Sequence, residues 1–455
     1  MTRLVVVGGN AAGLSAASKA KRRSPGLEVE VLEAGPHISY SSCGIPYYIE
    51  GLVDDVDQLL ILGQKEAAER GIGVRTHSRA VAFNPYTKEV VFEGPAGRDS
   101  MHYDKLLLAT GSEALNPFPG GELDGVHTLR HLGDGIRLLE RMQTAKCDSI
   151  AVVGGGFVGL EMAAAFQARA SEVHLLQRGP RLLSTMDADI TDGLNEWIQQ
   201  AGIQVHLNAD VKKFVATDTP GEVGRIEAKA DLDVDAVLVA VGVKPATEFA
   251  VKAGVASTKE GHLLVDDQMR TNLHDVWAAG DCVAPRHIVA GRPMAMPLAL
   301  PSNRMGRVAG DNIAASTEKI PGPSLFFPGV LGTSILRVFG LAFAKTGLNE
   351  EDCKAEGIDC VSSLIESKSK ASYMPDASDM AVKVTADRAT GKLLGVQIAG
   401  PEEAGLRINA AAVALQSGLK VSKLAEIETA YAPPFSTVWD PLIVAAEQCA
   451  KEIRK

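Results

Sequence analysis

Cys43 stands in the run ISYSSCGIPYYIEG, preceded by two serines and followed by a glycine. A dithiol redox centre would place a second cysteine within a few residues, yet Gly44, Ile45, Pro46, Tyr47 and Tyr48 follow instead. Any chemistry at Cys43 is therefore that of a single thiol, which bonds to a small external thiol or cycles through a persulfide or sulfenic acid. The attacking species is the thiolate, favoured by a helix N-terminus or an adjacent cation. Pro46 suits the first turn of a helix, which sets Cys43 just ahead of exposed backbone N–H groups and predicts a lowered thiol pKa. The alternative, an inert buried cysteine, fits poorly with Ser41, Ser42 and Gly44, which make no apolar surround.

Two segments that repeat each other supply the frame around this thiol. RLVVVGGNAAGLSAA leads to EVEVLE, and SIAVVGGGFVGLEMAAA leads to EVHLLQ; each reads as apolar strand, glycine turn, small-residue helix and second strand. Two such βαβ units predict two bound dinucleotides. The second turn, Gly154-Gly155-Gly156-Phe157-Val158-Gly159, carries the full G-x-G-x-x-G pattern. The first, Gly8-Gly9-Asn10-Ala11-Ala12-Gly13, has Asn10 where glycine normally lets a pyrophosphate approach the backbone, so the Asn10 side chain must point away. Glu33, twenty residues after Gly13, ends the following strand, where a carboxylate accepts ribose hydroxyls.

YDKLLLATGS, with Thr110 and Gly111 at its turn, and VDAVLVAVGVKP flank the second unit, as when one nucleotide domain is inserted into another. TNLHDVWAAGDC then places Asp281 after a buried strand and Gly280, either to meet a ligand's hydroxyls or to cap the next turn. From Pro321, PGPSLFFPG reads as a linker into an α+β domain without a glycine fingerprint. The expected fold is α/β, with two Rossmann-like domains and a C-terminal α+β domain. Residues 1–112 and 241–320 form the first, discontinuous nucleotide domain, 113–240 the inserted one and 321–455 the third.

The net charge of −10 removes the footprint that phosphate-backbone binding needs, so no nucleic-acid partner is expected. No apolar stretch approaches a membrane span, and the N-terminal apolar run is too short for a signal-peptide core, which points to the cytoplasm. The six cysteines are scattered, without the close pairs of zinc sites or disulfide frameworks, and most read as inert core thiols.

Taken in order along nearly the whole chain, these elements resemble the FAD-dependent pyridine nucleotide-disulfide oxidoreductases. The single cysteine of SYSSCGIPYY and the block YAPPFS are similar to the branch of coenzyme A-disulfide reductases, NADH oxidases and persulfide reductases. The resemblance implies FAD held through Gly8, Gly13, Glu33, Thr110, Gly111 and Asp281. It implies NADH or NADPH held through Gly154, Gly156 and Gly159, with Phe157 covering the flavin and Glu161 nearby. Gln177 stands where Glu33 does and Arg178 follows; that arginine either accepts a 2′-phosphate or is a solvated surface charge, so both cofactors stay open.

Tyr431, and less strongly Tyr373 of SYMPD, are the implied proton donors, supplied across a homodimer. The implied substrate is a small disulfide, persulfide or polysulfide, coenzyme A first among them. Ser39 and Ser42 beside Cys43, and Lys19, Arg22 and Arg23 on one helical face, are its candidate contacts; a solvated helix end serves the last three equally well. Related oxidases and peroxidases carry a histidine in the first glycine turn where this chain has Ala11, which turns the thiol away from peroxide chemistry. The other reading is an electron-transfer subunit working with iron–sulfur subunits.

Overall fold

The computed structural model describes residues 2–144, 147–170, 172–217, 219, 221–317 and 324–454. Five parallel strands form the first sheet, in the order Val276–Ala278, Lys105–Leu108, Arg3–Val7, Glu28–Leu32, Ile72–Arg75. Chain from both sides of residues 113–240 thus shares one sheet. Its central strands Arg3–Val7 and Lys105–Leu108 are apolar on both faces, as a sheet covered on both sides requires; Leu4, Val5, Val6, Leu106, Leu107 and Leu108 are buried.

A second parallel sheet has the order Gln204–Leu207, Glu172–Gln177, Ser149–Val153, Ala236–Val239, Val126–Thr128. The chain enters and leaves it through one antiparallel pair, Ser112–Ala114 against Val243–Pro245. The third sheet is antiparallel: Ser334–Val338, Leu341–Gly347, Leu393–Pro401, Asp379–Asp387, Cys360–Lys368. The helix Pro441–Ile453 packs on it, and its start is fixed by Asp440, whose carboxylate accepts the Leu442 N–H at 2.9 Å. Of the expected linker, Pro321 to Pro323 lie outside the described residues, and Ser324–Gly329 has no regular structure. Among the described residues no helix is long and apolar enough to cross a membrane.

The helix Ala11–Arg23 covers the first sheet and is itself covered by Ala299–Thr317. Their approach depends on small residues. A Cβ on Gly306 would lie 2.2 Å from the Ala12 carbonyl oxygen, and one on Gly310 would lie 2.2 Å from that of Ala16. Both obstacles are backbone, so neither can swing aside. Gly306→Ala and Gly310→Ala are each expected to lower stability by about 1–3 kcal/mol, the usual cost of overpacking. Thermal denaturation of the two variants checks this, and an unchanged midpoint would mean that the helices slide apart without penalty.

Candidate active site

The two glycine turns adopt the same geometry. Gly8 has φ +106° and Gly154 φ +119°; a Cβ on Gly8 would sit 2.1 Å from the Ala109 oxygen, and one on Gly154 2.3 Å from that of Ala240. A Cβ on Gly13 would meet the Gly8 oxygen at 1.8 Å, and one on Gly159 the Gly154 oxygen at 1.8 Å. Strand and helix can touch only at glycines, which leaves the turn backbone facing the cleft. A Cβ at Gly156 meets nothing, which is why its counterpart can be Asn10. The Asn10 side chain accepts the Tyr40 N–H at 3.2 Å and donates to Ser42 Oγ at 3.3 Å, tying the turn to the Cys43 loop.

At the ends of the second strands the two units also match. Glu33 accepts the N–H groups of Gly9 and Gly35, each at 2.7 Å, and Gln177 accepts that of Gly155 at 2.9 Å. Arg178 is exposed and makes no ion pair among the described residues. Thr110 adjoins the first turn, its nitrogen 3.4 Å from a Cβ position on Gly8, and Gly111 follows with φ +68°. Phe157 is the half-buried first residue of the helix Phe157–Gln167.

Cys43 sits in a short helical turn, Ser42–Gly44, that runs into the helix Ile45–Glu50 with Pro46 in its first turn. Ser39 anchors the loop through its N–H to the Gly9 oxygen at 2.8 Å. The expected lowering of the thiol pKa is not found. Solvent reaches the side chain, yet the cleft walls desolvate it, and burial first, then the carboxylates of Glu161 and Asp281, push the Cys43 thiol up; Arg130 opposes them. A six-residue helix facing two carboxylates does not prevail.

Arg130 pairs with Asp281 and donates to the Ser112 oxygen at 3.0 Å, while Ser302 Oγ donates to Asp281 at 2.7 Å. Glu161 borders a cavity of about 180 Å³ with Pro46, Tyr47, Glu50 and Arg337, and burial pushes its carboxyl up to about 7.

The basic helix end divides. Lys19, at 3.0 Å, and Arg23 both pair with the buried Asp311 of the helix Ala299–Thr317, so they are committed to packing. Arg22 remains exposed, beside Ser18, Lys21 and Arg70 around a surface cavity of about 550 Å³. Tyr373 and Tyr431 lie exposed on the C-terminal domain as neighbours, and Tyr373 raises the Tyr431 pKa. Neither belongs to the charged surround of Cys43 within one chain. Nor are the cysteines all apart: Cys353 and Cys360 are neighbours in the C-terminal domain, and burial raises both thiols. Sequence reasoning missed Asn10 as a tether and Arg130 altogether; Arg130 carries no motif, and its partner Asp281 is distant in the chain.

Residues 2–302 match the pyridine nucleotide-disulphide oxidoreductase family, and residues 334–442 match its dimerisation domain. The chain belongs to the pyridine nucleotide-disulphide oxidoreductases. An NAD(P)H sulfur oxidoreductase (CoA-dependent) of Pyrococcus abyssi is 35% identical over 447 residues, covering 97% of this chain and 97% of the relative. A coenzyme A disulfide reductase of Staphylococcus aureus is 27% identical over 439 residues, covering 96% and 97%. An NAD-dependent persulfide reductase from A. fulgidus superposes with a TM-score of 0.93 at 32% identity, covering 99% of this chain and 83% of that one.

As a pyridine nucleotide-disulphide oxidoreductase the protein works with FAD and NAD(P)H, and the residues present fit both. Each glycine turn is a cradle that a Cβ would fill, and Ser112 Oγ, one residue past Gly111, is buried without a hydrogen-bond partner among the described residues.

Glu161 is neutral below about pH 7 and charged above it, and its negative charge helps to hold Cys43 protonated. Glu161→Gln is therefore expected to lower the Cys43 pKa and speed its alkylation above neutrality. It should also remove the inflection near 7 from the pH profile of NAD(P)H oxidation. An unchanged alkylation rate would show that Glu161 does not govern this thiol.

Proposed function

We propose that the protein is an FAD-dependent NAD(P)H reductase of small disulfides, persulfides or polysulfides, with coenzyme A the carrier thiol and Cys43 the reacting sulfur. The observation that carries this reading is the seat of Cys43. A single thiol stands between the two dinucleotide units, with Asp281 from the first and Glu161 from the second in its field. The relatives named for coenzyme A-dependent sulfur and disulfide chemistry align over nearly their whole lengths, which supports the substrate class. The domain limits drawn from the sequence belong to this reading.

When bound, the flavin relays two electrons from NAD(P)H. Cys43 rests as a mixed disulfide with the small thiol; two electrons and one proton break that bond and release the thiol, leaving Cys43 as thiolate. The Cys43 sulfur then bonds to one sulfur of an incoming disulfide, and the other departs as a thiolate that takes up a proton. Glu161, neutral below about pH 7, is placed to hold a proton near this exchange. Tyr431, exposed on the dimerisation domain, is the donor a partner subunit would bring, with Tyr373 its neighbour. Ser39 and Ser42 shape the loop that presents the sulfur.

With Lys19 and Arg23 withdrawn by Asp311, the phosphates of coenzyme A are assigned to Arg22, Lys21 and Arg70 around their shared cavity. Gln177 lacks the charge that would repel a 2′-phosphate and Arg178 is unpaired among the described residues, which supports use of both NADH and NADPH. A role as an electron-transfer subunit is not favoured, since the full-length relatives are named for sulfur substrates.

Anaerobic reduction with NADH or NADPH, followed by coenzyme A disulfide, coenzyme A persulfide and ferredoxin in parallel, tests the reading. The sulfur acceptors should reoxidise the enzyme and ferredoxin should not. Cys43→Ser is expected to abolish turnover with them by at least about a thousandfold, while flavin reduction persists; full turnover in that variant would remove the mechanism. Arg22→Ala combined with Arg70→Ala should raise KM for coenzyme A disulfide about tenfold, the scale of lost charged hydrogen bonds, without affecting a disulfide that carries no phosphate.

A further inference from the structure

Behind the second glycine turn lies a segment, 179–191, that the mechanism does not use. Its near end grips the turn: the Leu183 N–H donates to the Gly155 oxygen at 2.9 Å, and Leu182 lies 2.4 Å from where a Gly155 Cβ would be. Together with Gln177, which accepts the Gly155 N–H, this clamps Gly155 from both sides of its peptide.

The far end of the segment is held by the C-terminal domain. Lys383, on the strand Asp379–Asp387 and 3% exposed, pairs with Asp187 at 3.1 Å, Asp189 at 2.8 Å and Glu350 at 3.1 Å. Asp187 is equally buried. It accepts from the Gln397 amide at 2.6 Å and the Glu350 N–H at 3.1 Å, and its own N–H donates to Gln397 Oε1 at 2.8 Å. Lys345 and Asn349 both donate to the Thr185 oxygen, at 2.7 and 3.1 Å.

The carboxylates meet at one ammonium. Burial opposes the charge of Lys383, and Asp189, Asp187 and Glu350 more than offset this. Without that cation three carboxylates would face one another, and the segment carrying two of them would have to move away. Any such movement is passed through Leu182 and Leu183 to Gly155, and through the adjoining Gln177 and Arg178 to the ribose end of the turn.

We propose that Lys383 is a positioning residue for the nicotinamide dinucleotide: from the C-terminal domain it sets the segment that shapes the Gly154–Gly159 turn. This rests on assigning that turn to NAD(P)H. It makes cofactor affinity a property of two domains, although Lys383 itself touches no cofactor.

The test uses FAD-loaded enzyme bearing Lys383→Met, Lys383→Arg or Asp189→Asn, with NADH and NADPH affinity measured by titration beside steady-state kinetics. Lys383→Met is expected to raise KM and Kd for the nicotinamide cofactor about tenfold, the scale of a strongly coupled contact. Its kcat, FAD content and KM for the sulfur acceptor should stay near wild type, and Lys383→Arg should restore most of the affinity. Should Lys383→Met fail to fold, Asp189→Asn, which removes one of the two half-exposed carboxylates, is expected to shift Kd in the same direction by a smaller factor. A lower melting temperature with unchanged cofactor Kd would overturn the proposal, as would an unchanged Kd in Asp189→Asn. Tight NAD(P)H binding without turnover of any sulfur acceptor would instead count against the proposed function alone.

Discussion

The active site depends on one steric constraint, met twice: a helix may begin directly on a parallel strand only where neither has a side chain at the crossing. Gly13 against Gly8 and Gly159 against Gly154 satisfy it, each with a Cβ position 1.8 Å from a carbonyl oxygen. Because the helices start so close to their strands, their first N–H groups open onto the cleft, where a dinucleotide's phosphates need them. The same closeness brings Asn10 within reach of Tyr40 and Ser42, so the turn that would hold the flavin also fixes the loop that carries the sulfur.

Within that frame the protein does not make Cys43 a ready thiolate. Burial and two carboxylates outweigh Arg130, whose charge is already shared with Asp281. A thiol of this kind is protected from indiscriminate attack, since thiolate fraction governs exchange with any disulfide that diffuses in. Under the proposed function its anion would be generated in place, by breaking a bond between Cys43 and an external thiol. The missing second cysteine and the raised pKa both suit the proposed cycle, in which Cys43 would rest bonded to an external thiol.

What could be read from the sequence was what repeats or lies close in the chain. The strand–turn–helix units, the match of Glu33 to Gln177 and the helix after Cys43 all depend on spacing over a few tens of residues, and their geometry follows that spacing. The electrostatics did not follow, because charge partners come from far away. Asp311 lies 288 residues from Arg23, and its burial decides that Arg23 is a packing residue. Asp281 reaches Arg130 across 151 residues. A helical wheel assigns Lys19, Arg22 and Arg23 to one face, but only the packed helix opposite tells which of them solvent can reach.

The division of that basic helix end narrows where a phosphorylated substrate could bind. Lys19 and Arg23 share one buried carboxylate, so recruiting either to a phosphate would leave Asp311 less compensated in a low-dielectric seam, at a cost of several kcal/mol. Arg22 and Arg70 carry no such debt: both are exposed and border the same cavity as Lys21, whose ammonium donates to the Leu27 oxygen and can still offer two protons. Phosphate binding there replaces water with charge-assisted hydrogen bonds without dismantling the fold. The helix therefore uses one face to hold the Rossmann core closed and leaves the adjoining one free for the proposed phosphate contact, and the side chain at position 311 separates the two.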